Sequence, residues 1–280
     1  MDFKQSLFKI DSYPVGFSMP HANKHIAGIN LSKLSLETLL PGKWIDDNIL
    51  NAFLLIAQDI AINDEMKVLS FETFFCEKLM LGIISDGHKK WLALNEIWTQ
   101  DIWLIPIHIN SNHWTLLVVV FPHKIFLYLD SLKGQPPNQL IHNLCGFIEN
   151  YRDARIRKLT RWQDWTLHVP IDIPVQNVSS GNCGIHVCAW VYIIITGTAF
   201  QFSDMHMNCF RKGMAHWLLN YDLIRKVNSR ENLRTALLEL PVNPGKIHRN
   251  IRQNSHIPFE FSSTLEYCSS IKTLLSAMRE

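Results

Sequence analysis

Residues 101–130 read DIWLIPIHINSNHWTLLVVVFPHKIFLYLD. Three short runs rich in Ile, Val and Trp, Asp101 to Ile109, Trp114 to Phe121 and Lys124 to Leu129, are separated by Asn110-Ser111-Asn112 and by Pro122. β-branched and aromatic residues bounded by turn-formers predict three consecutive strands. The middle run is apolar but for Thr115, the pattern of a strand buried on both faces. Before it in the chain, Trp44 to Ile62 carries Ile49, Phe53, Ile56 and Ile60 in a 4-3-4 rhythm, after Pro41-Gly42 and with Asp46-Asp47 in the first turn. That rhythm predicts an amphipathic helix whose first-turn carboxylates complement its dipole. After the strands, Gly184 to Thr196 is apolar almost all round, as in a helix surrounded by protein. A central, mostly antiparallel sheet flanked by helices is the α+β class.

The chain has 280 residues, 47% of them hydrophobic, so it can bury a substantial core. With 27 Lys+Arg against 25 Asp+Glu its formal charge is only +2, far from the strongly basic footprint of a dedicated nucleic-acid binder. Met1 to Pro20 mixes charges with isolated apolar residues and has no secretory pattern. The longest apolar stretch, Gly184 to Phe200, is interrupted by His186 and Gly197 and falls short of the roughly 20 residues of a membrane span. Six cysteines are dispersed along the chain, which favours a reducing, intracellular setting, nuclear or cytoplasmic. Residues 1–25 are expected to be an N-terminal extension, 26–222 the main domain, and 223–280 a C-terminal helix and basic tail. Within that tail, Pro241 to Phe259 holds Lys246, Arg249 and Arg252 and no acidic residue, the composition of a linker, and Ser262 to Met278 has helical spacing.

Four polar residues stand at the ends of predicted elements: His113 where a turn enters a strand, Asp130 at the end of the third strand, Gln176 after Pro174, and Cys183 ahead of the buried helix. Element ends expose a group while the scaffold fixes it. A cysteine at a helix N-terminus meets unpaired N–H groups and the positive end of the dipole, which favours the thiolate. A nearby His completes the activation, and a carboxylate such as Asp130 can fix that ring's tautomer and steady its charge. Gln176 and the Cys183 N–H could then donate to an oxyanion, an interaction worth on the order of 3 kcal/mol. Taken singly, each is also compatible with a structural role: a buried thiol, a strand-end histidine, a turn-forming Asp. Cys183, His186 and Cys188 are close in sequence, but Cys188 projects away from the other two and no second ligand pair is present, so no metal is expected. Ser179-Ser180-Gly181 lacks the Gly-x-Ser-x-Gly pattern of a serine nucleophile.

In chain order, Trp44-Ile45-Asp46-Asp47, Phe71-Glu72-Thr73-Phe74-Phe75, Pro106-Ile107-His108 leading to His113-Trp114, Tyr128-Leu129-Asp130-Ser131-Leu132, and Pro174-Val175-Gln176 with Asn182-Cys183-Gly184-Ile185 resemble the ubiquitin-like-protein-specific (sentrin- or SUMO-specific) cysteine proteases. The likeness covers about Asn30 to Leu219. The order His, Asp, Gln, Cys distinguishes it from papain-like enzymes, which place the Cys first.

The resemblance implies a papain-like fold in permuted chain order, with His113, Asp130 and Cys183 as triad and Gln176 as oxyanion donor. It implies that Trp44 and Trp114 clamp a tunnel that only a Gly-Gly tail can thread, because glycine lacks a Cβ. Asp47 matches an acidic position that contacts the modifier. Three departures stand out. Six residues, Asn177 through Asn182, separate Gln176 from Cys183 where five are usual, which leaves Asn177 as an alternative donor. Asn182 replaces the usual Asp before the nucleophile, and Asp46-Asp47 replaces Asn-Asp. The implied activity is cleavage after the C-terminal Gly-Gly of SUMO or a related modifier, in precursors or conjugates, by a monomer needing no cofactor, with the modifier and its conjugates as partners and neither nucleic acid nor membrane. The rivals are a deubiquitinase or deneddylase of the same fold, a catalytically weak binding module, and an acetyltransferase using the same triad.

Overall fold

The computed structural model describes residues 23–26, 28–63, 67–84, 99–151, 164–196 and 202–225. The expected N-terminal extension, apart from its last residues, the Pro241 to Phe259 linker and the Ser262 to Met278 helix lie outside them.

The three predicted strands form with boundaries shifted by a residue: β4 (Ile102–Ile109), β5 (His113–Val120) and β6 (Ile125–Leu129). They pair antiparallel, β4 with β5 from Ile102↔Val120 to Ile109↔His113, and β5 with β6 from Val120↔Ile125 to Leu116↔Leu129. The β4–β5 turn bends through left-handed φ at Asn110 (49°) and Ser111 (57°), a conformation that asparagine tolerates. Two further strands, β3 (Val68–Ser70) and β7 (Thr166–His168), add parallel at the two edges and give the order β3-β4-β5-β6-β7. The sheet is therefore mixed, antiparallel through its long central strands. A separate hairpin joins β1 (Lys24–Ile26) to β2 (Ile29–Leu31).

Side chains alternate along β5 as the pleat requires. Trp114, Leu116, Val118 and Val120 enter one hydrophobic cluster, and Leu117 and Val119 enter the other. The first cluster lies under α2 (Asp47–Asn63), α5 (Cys183–Thr196) and α6 (Met207–Arg225), and the second under α3 (Thr73–Met80) and α4 (Leu140–Tyr151). A short helix, α1 (Lys33–Glu37), is capped by the Ser32 side chain. Helix α2 starts where Asp46 Oδ1 accepts the Ile49 N–H at 2.9 Å. Its Phe53 stacks against Trp217 and meets Phe210 edge-on, joining α2 to α6.

All fourteen residues of α5 are buried. Its Val and Ile residues are indifferent helix formers, so packing holds it: a fully buried aliphatic side chain is worth roughly 1.5–3 kcal/mol. The nucleophile candidate thus sits on the most enclosed element of the fold.

Candidate active site

His113 begins β5 directly after the β4–β5 turn, and Asp130 follows the last residue of β6. Because the two strands are adjacent in the sheet, His113 Nε2 meets Asp130 Oδ1 at 2.6 Å. Asp130 Oδ1 also accepts the Leu132 N–H at 2.7 Å, and Oδ2 accepts the Gly134 N–H at 3.0 Å. Both carboxylate oxygens are committed, and the side chain is fixed. Burial disfavours its charge, but the His113 hydrogen bond and charge and the two backbone N–H groups outweigh it and hold the carboxyl below its ordinary value.

The Cys183 thiol is the second group that interacts with this ring, and each shifts the titration of the other. Burial opposes the His113 charge, yet the hydrogen bonds and charges of Asp130 and Cys183 prevail and raise its pKa to about 9. Cys183 is the first residue of α5. Burial pushes its thiol up, but the His113 hydrogen bond, the Trp114 N–H, the His113 charge and the Gly184 N–H together bring it below the ordinary value. A lowered thiol beside a raised imidazole favours a thiolate–imidazolium pair. Such a pair can attack a carbonyl and protonate a leaving amine.

A cleft of about 590 Å³ opens onto Cys183, with Trp44, Trp114, His108, Asp47 and Glu77 among its walls. Trp114 is 7% exposed and stacks on His108 at 4.0 Å and 14°. Trp44 is 58% exposed. Its indole rests on Gly181, where a Cβ would come within 2.6 Å of Trp44 Cδ1 and where φ is +65°. Gly184 faces Ile45 and Trp114 in the same way: a Cβ there would lie 2.5 Å from Ile45 Cγ1 and 3.1 Å from Trp114 Cδ1. The two glycines flanking Cys183 therefore let the tryptophan-bearing segments close onto it. Asp47 heads α2, and its charge, like that of Glu77, pulls His108 upward, against a burial effect that leaves this histidine below its ordinary pKa.

Gln176 is joined to Ser131, the neighbour of Asp130. Its N–H donates to the Ser131 carbonyl at 3.1 Å, and Ser131 Oγ donates to Gln176 Oε1 at 3.0 Å. With that oxygen engaged, Nε2 is the side chain's donor. Asn177 is exposed, and its carbonyl accepts Ser180 N–H and Oγ in a turn. The additional residue between Gln176 and Cys183 thus lies in a segment containing this turn.

Sequence reasoning passed over several residues that shape the site. Ser131, Leu132 and Gly134 orient Gln176 and Asp130 through local hydrogen bonds with no distinctive spacing. Arg211 is fully buried and donates to Lys43 O, Gly181 O and Asn182 Oδ1, beside both Trp44 and Cys183. A signal for it existed: it shares the helical register of the buried Met207, Phe210, Met214, Ala215 and Leu218, where a charge has no business unless it is paired.

The α+β fold thus brings a helix-heading thiol, an imidazole and a carboxylate into one interacting group. The description "Ulp1 protease family, C-terminal catalytic domain" fits residues 43–222, and the chain belongs to that family. The chain is 28% identical over 205 residues to Ubiquitin-like-specific protease 1A of Arabidopsis thaliana, covering 69% of this chain and 40% of that protein. It is 26% identical over 199 residues to human Sentrin-specific protease 2, covering 70% of this chain and 33% of that protein. The chain thus spans two fifths or less of the length of these curated relatives. Its fold is similar to that of the C-terminal Ulp1 protease domain solved in complex with Smt3, the yeast ortholog of SUMO, with a TM-score of 0.59, 22% identity, and coverage of 79% of this chain and 93% of that one. Among the described residues, no helix is long and apolar enough to cross a membrane.

Proposed function

We propose that this chain is a cysteine-type peptidase that cleaves after the C-terminal Gly-Gly of SUMO or a related ubiquitin-like modifier, in precursors, conjugates or both. The observation that carries the reading is the His113–Asp130 pair at 2.6 Å, with Cys183 at the head of α5 interacting with the same imidazole. Its supports are family membership, the indoles of Trp44 and Trp114 in the wall of the cleft, and the names of the relatives. We take residues 26–222 as the catalytic body, although α6 itself continues to Arg225.

The Cys183 thiolate attacks the carbonyl carbon of the terminal glycine, and the negative charge that develops on oxygen is taken by the Cys183 N–H and Gln176 Nε2. The tetrahedral intermediate collapses as the His113 imidazolium passes its proton to the leaving lysine or peptide nitrogen, which leaves a thioester. Neutral His113 then removes a proton from water, hydroxide adds to the thioester, and the thiolate departs to restore the ion pair. Asp130 keeps the ring in place and its charge stabilised throughout. Asp47, at the cleft wall, is placed to contact the modifier.

Reaction of the protein with SUMO, ubiquitin and NEDD8 probes carrying a C-terminal electrophile tests both chemistry and modifier. Labelling by the SUMO probe that disappears in Cys183→Ala is expected. Labelling of Cys183→Ala as strong as wild type removes the mechanism, and preference for another probe reassigns the modifier.

A further inference from the structure

A guanidinium taken wholly out of water requires its donors to be matched, and Arg211, 0% exposed, has them matched by two segments far apart in the chain. Nη1 donates to the carbonyls of Thr38 and Leu40 at 3.0 and 3.3 Å. Nη2 donates to the Lys43 carbonyl at 2.6 Å, to the Gly181 carbonyl at 3.2 Å and to Asn182 Oδ1 at 2.8 Å, and Nε reaches the same Asn182 oxygen at 3.2 Å. Asn182 Nδ2 in turn donates to Asp204 Oδ1 at 2.8 Å, an oxygen that also accepts Ser180 Oγ at 3.2 Å. The buried cation therefore reaches a carboxylate through an intervening amide.

Two of these acceptors adjoin the cleft. Lys43 immediately precedes Trp44, and Gly181 is the residue on which the Trp44 indole lies. One guanidinium nitrogen thus ties together the backbone on both sides of the contact between the exposed indole and the loop leading into Cys183. We propose that Arg211 is a positioning residue that fixes the Trp44 indole over the Cys183 loop, so that an extended glycine tail entering the cleft is held in line with the sulfur. Arginine suits the task because its planar fork spans several carbonyls at once, whereas a lysine ammonium is a compact charge that cannot reach both segments. This inference rests on the thiol-peptidase reading above, and it assigns the placement of the lid to a residue that never touches substrate.

A double-mutant cycle on the full chain, followed by single-turnover release of aminomethylcoumarin from the C-terminus of SUMO, tests it. Arg211→Lys is expected to lower kcat/KM by about tenfold or more, since displacement of a positioning group by an ångström is that costly. In a Trp44→Ala background the same substitution is expected to cost less than about threefold, because the group it positions is gone. A merely structural role predicts equal losses in both backgrounds, and that result overturns the proposal while leaving the peptidase reading intact. A wild-type chain that releases aminomethylcoumarin from none of SUMO, ubiquitin and NEDD8 overturns both. If Arg211→Lys does not fold, Asn182→Ala, which deletes two of the guanidinium's hydrogen bonds, is carried through the same cycle with the same expected pattern.

Discussion

Asp130 combines two tasks in one side chain, since it binds the His113 ring and closes its own turn through the Leu132 and Gly134 N–H groups. The ion pair it supports exists only between the lowered pKa of Cys183 and the raised one of His113, about 9. Activity should therefore fall on the alkaline side as His113 loses its proton near pH 9, and on the acid side as Cys183 gains one. In Asp130→Asn the largest influence raising His113 is weakened, so the alkaline limb of kcat/KM should move to lower pH. The rate should also drop by roughly a hundredfold, less than in a serine triad because the thiolate needs less help. An alkaline limb that stays put in that variant would falsify the assignment of His113 as the titrating acid.

Elements differ in how openly the sequence declares them. The β4, β5 and β6 runs and the enclosed helix α5 were legible to within about one residue, because each is long enough for composition and period to speak. The edge strands β3 and β7 were not, since three residues carry no period and their pairing partners are supplied by the sheet. The candidate triad was legible because each member ends an element, whereas the hydrogen bonds of Ser131 and Arg211 depend on segments up to 173 residues away. The start of α5 provides a test at this scale. Gly184→Ala would add helix propensity of about 1 kcal/mol in an open helix. Here the new methyl group would meet Ile45 Cγ1 at 2.5 Å and Trp114 Cδ1 at 3.1 Å. The expected net effect is destabilisation of about 1–3 kcal/mol, seen as a lower urea midpoint, with a parallel loss of turnover as Trp114 is displaced. An unchanged midpoint would show that the closure of these segments on the nucleophile loop is looser than described.

The molecule as a whole carries a buried histidine that its proposed chemistry does not use. His186, one turn beyond Cys183, is fully buried, and burial lowers its pKa to about 4 against the opposing pull of Asp204. It is neutral in the native state, while the unfolded chain takes up a proton below about 6.5. The sign follows: this contribution to stability is present above pH 6.5, is lost as the pH falls from 6.5 to about 4, and amounts to about 3 kcal/mol over that window. Urea unfolding of wild type and His186→Gln at pH 7 and pH 4.5 should show the wild type losing the greater share, and equal losses would dismiss the effect. The helix that carries His186 has a further consequence. With every residue of Cys183–Thr196 enclosed, no local fluctuation can bring water to its central amides without dismantling the layers on either side. Their deuterium uptake should therefore proceed only through complete opening of the molecule, and the slowest amides of residues 187–194 should report the free energy of global unfolding directly from the native protein.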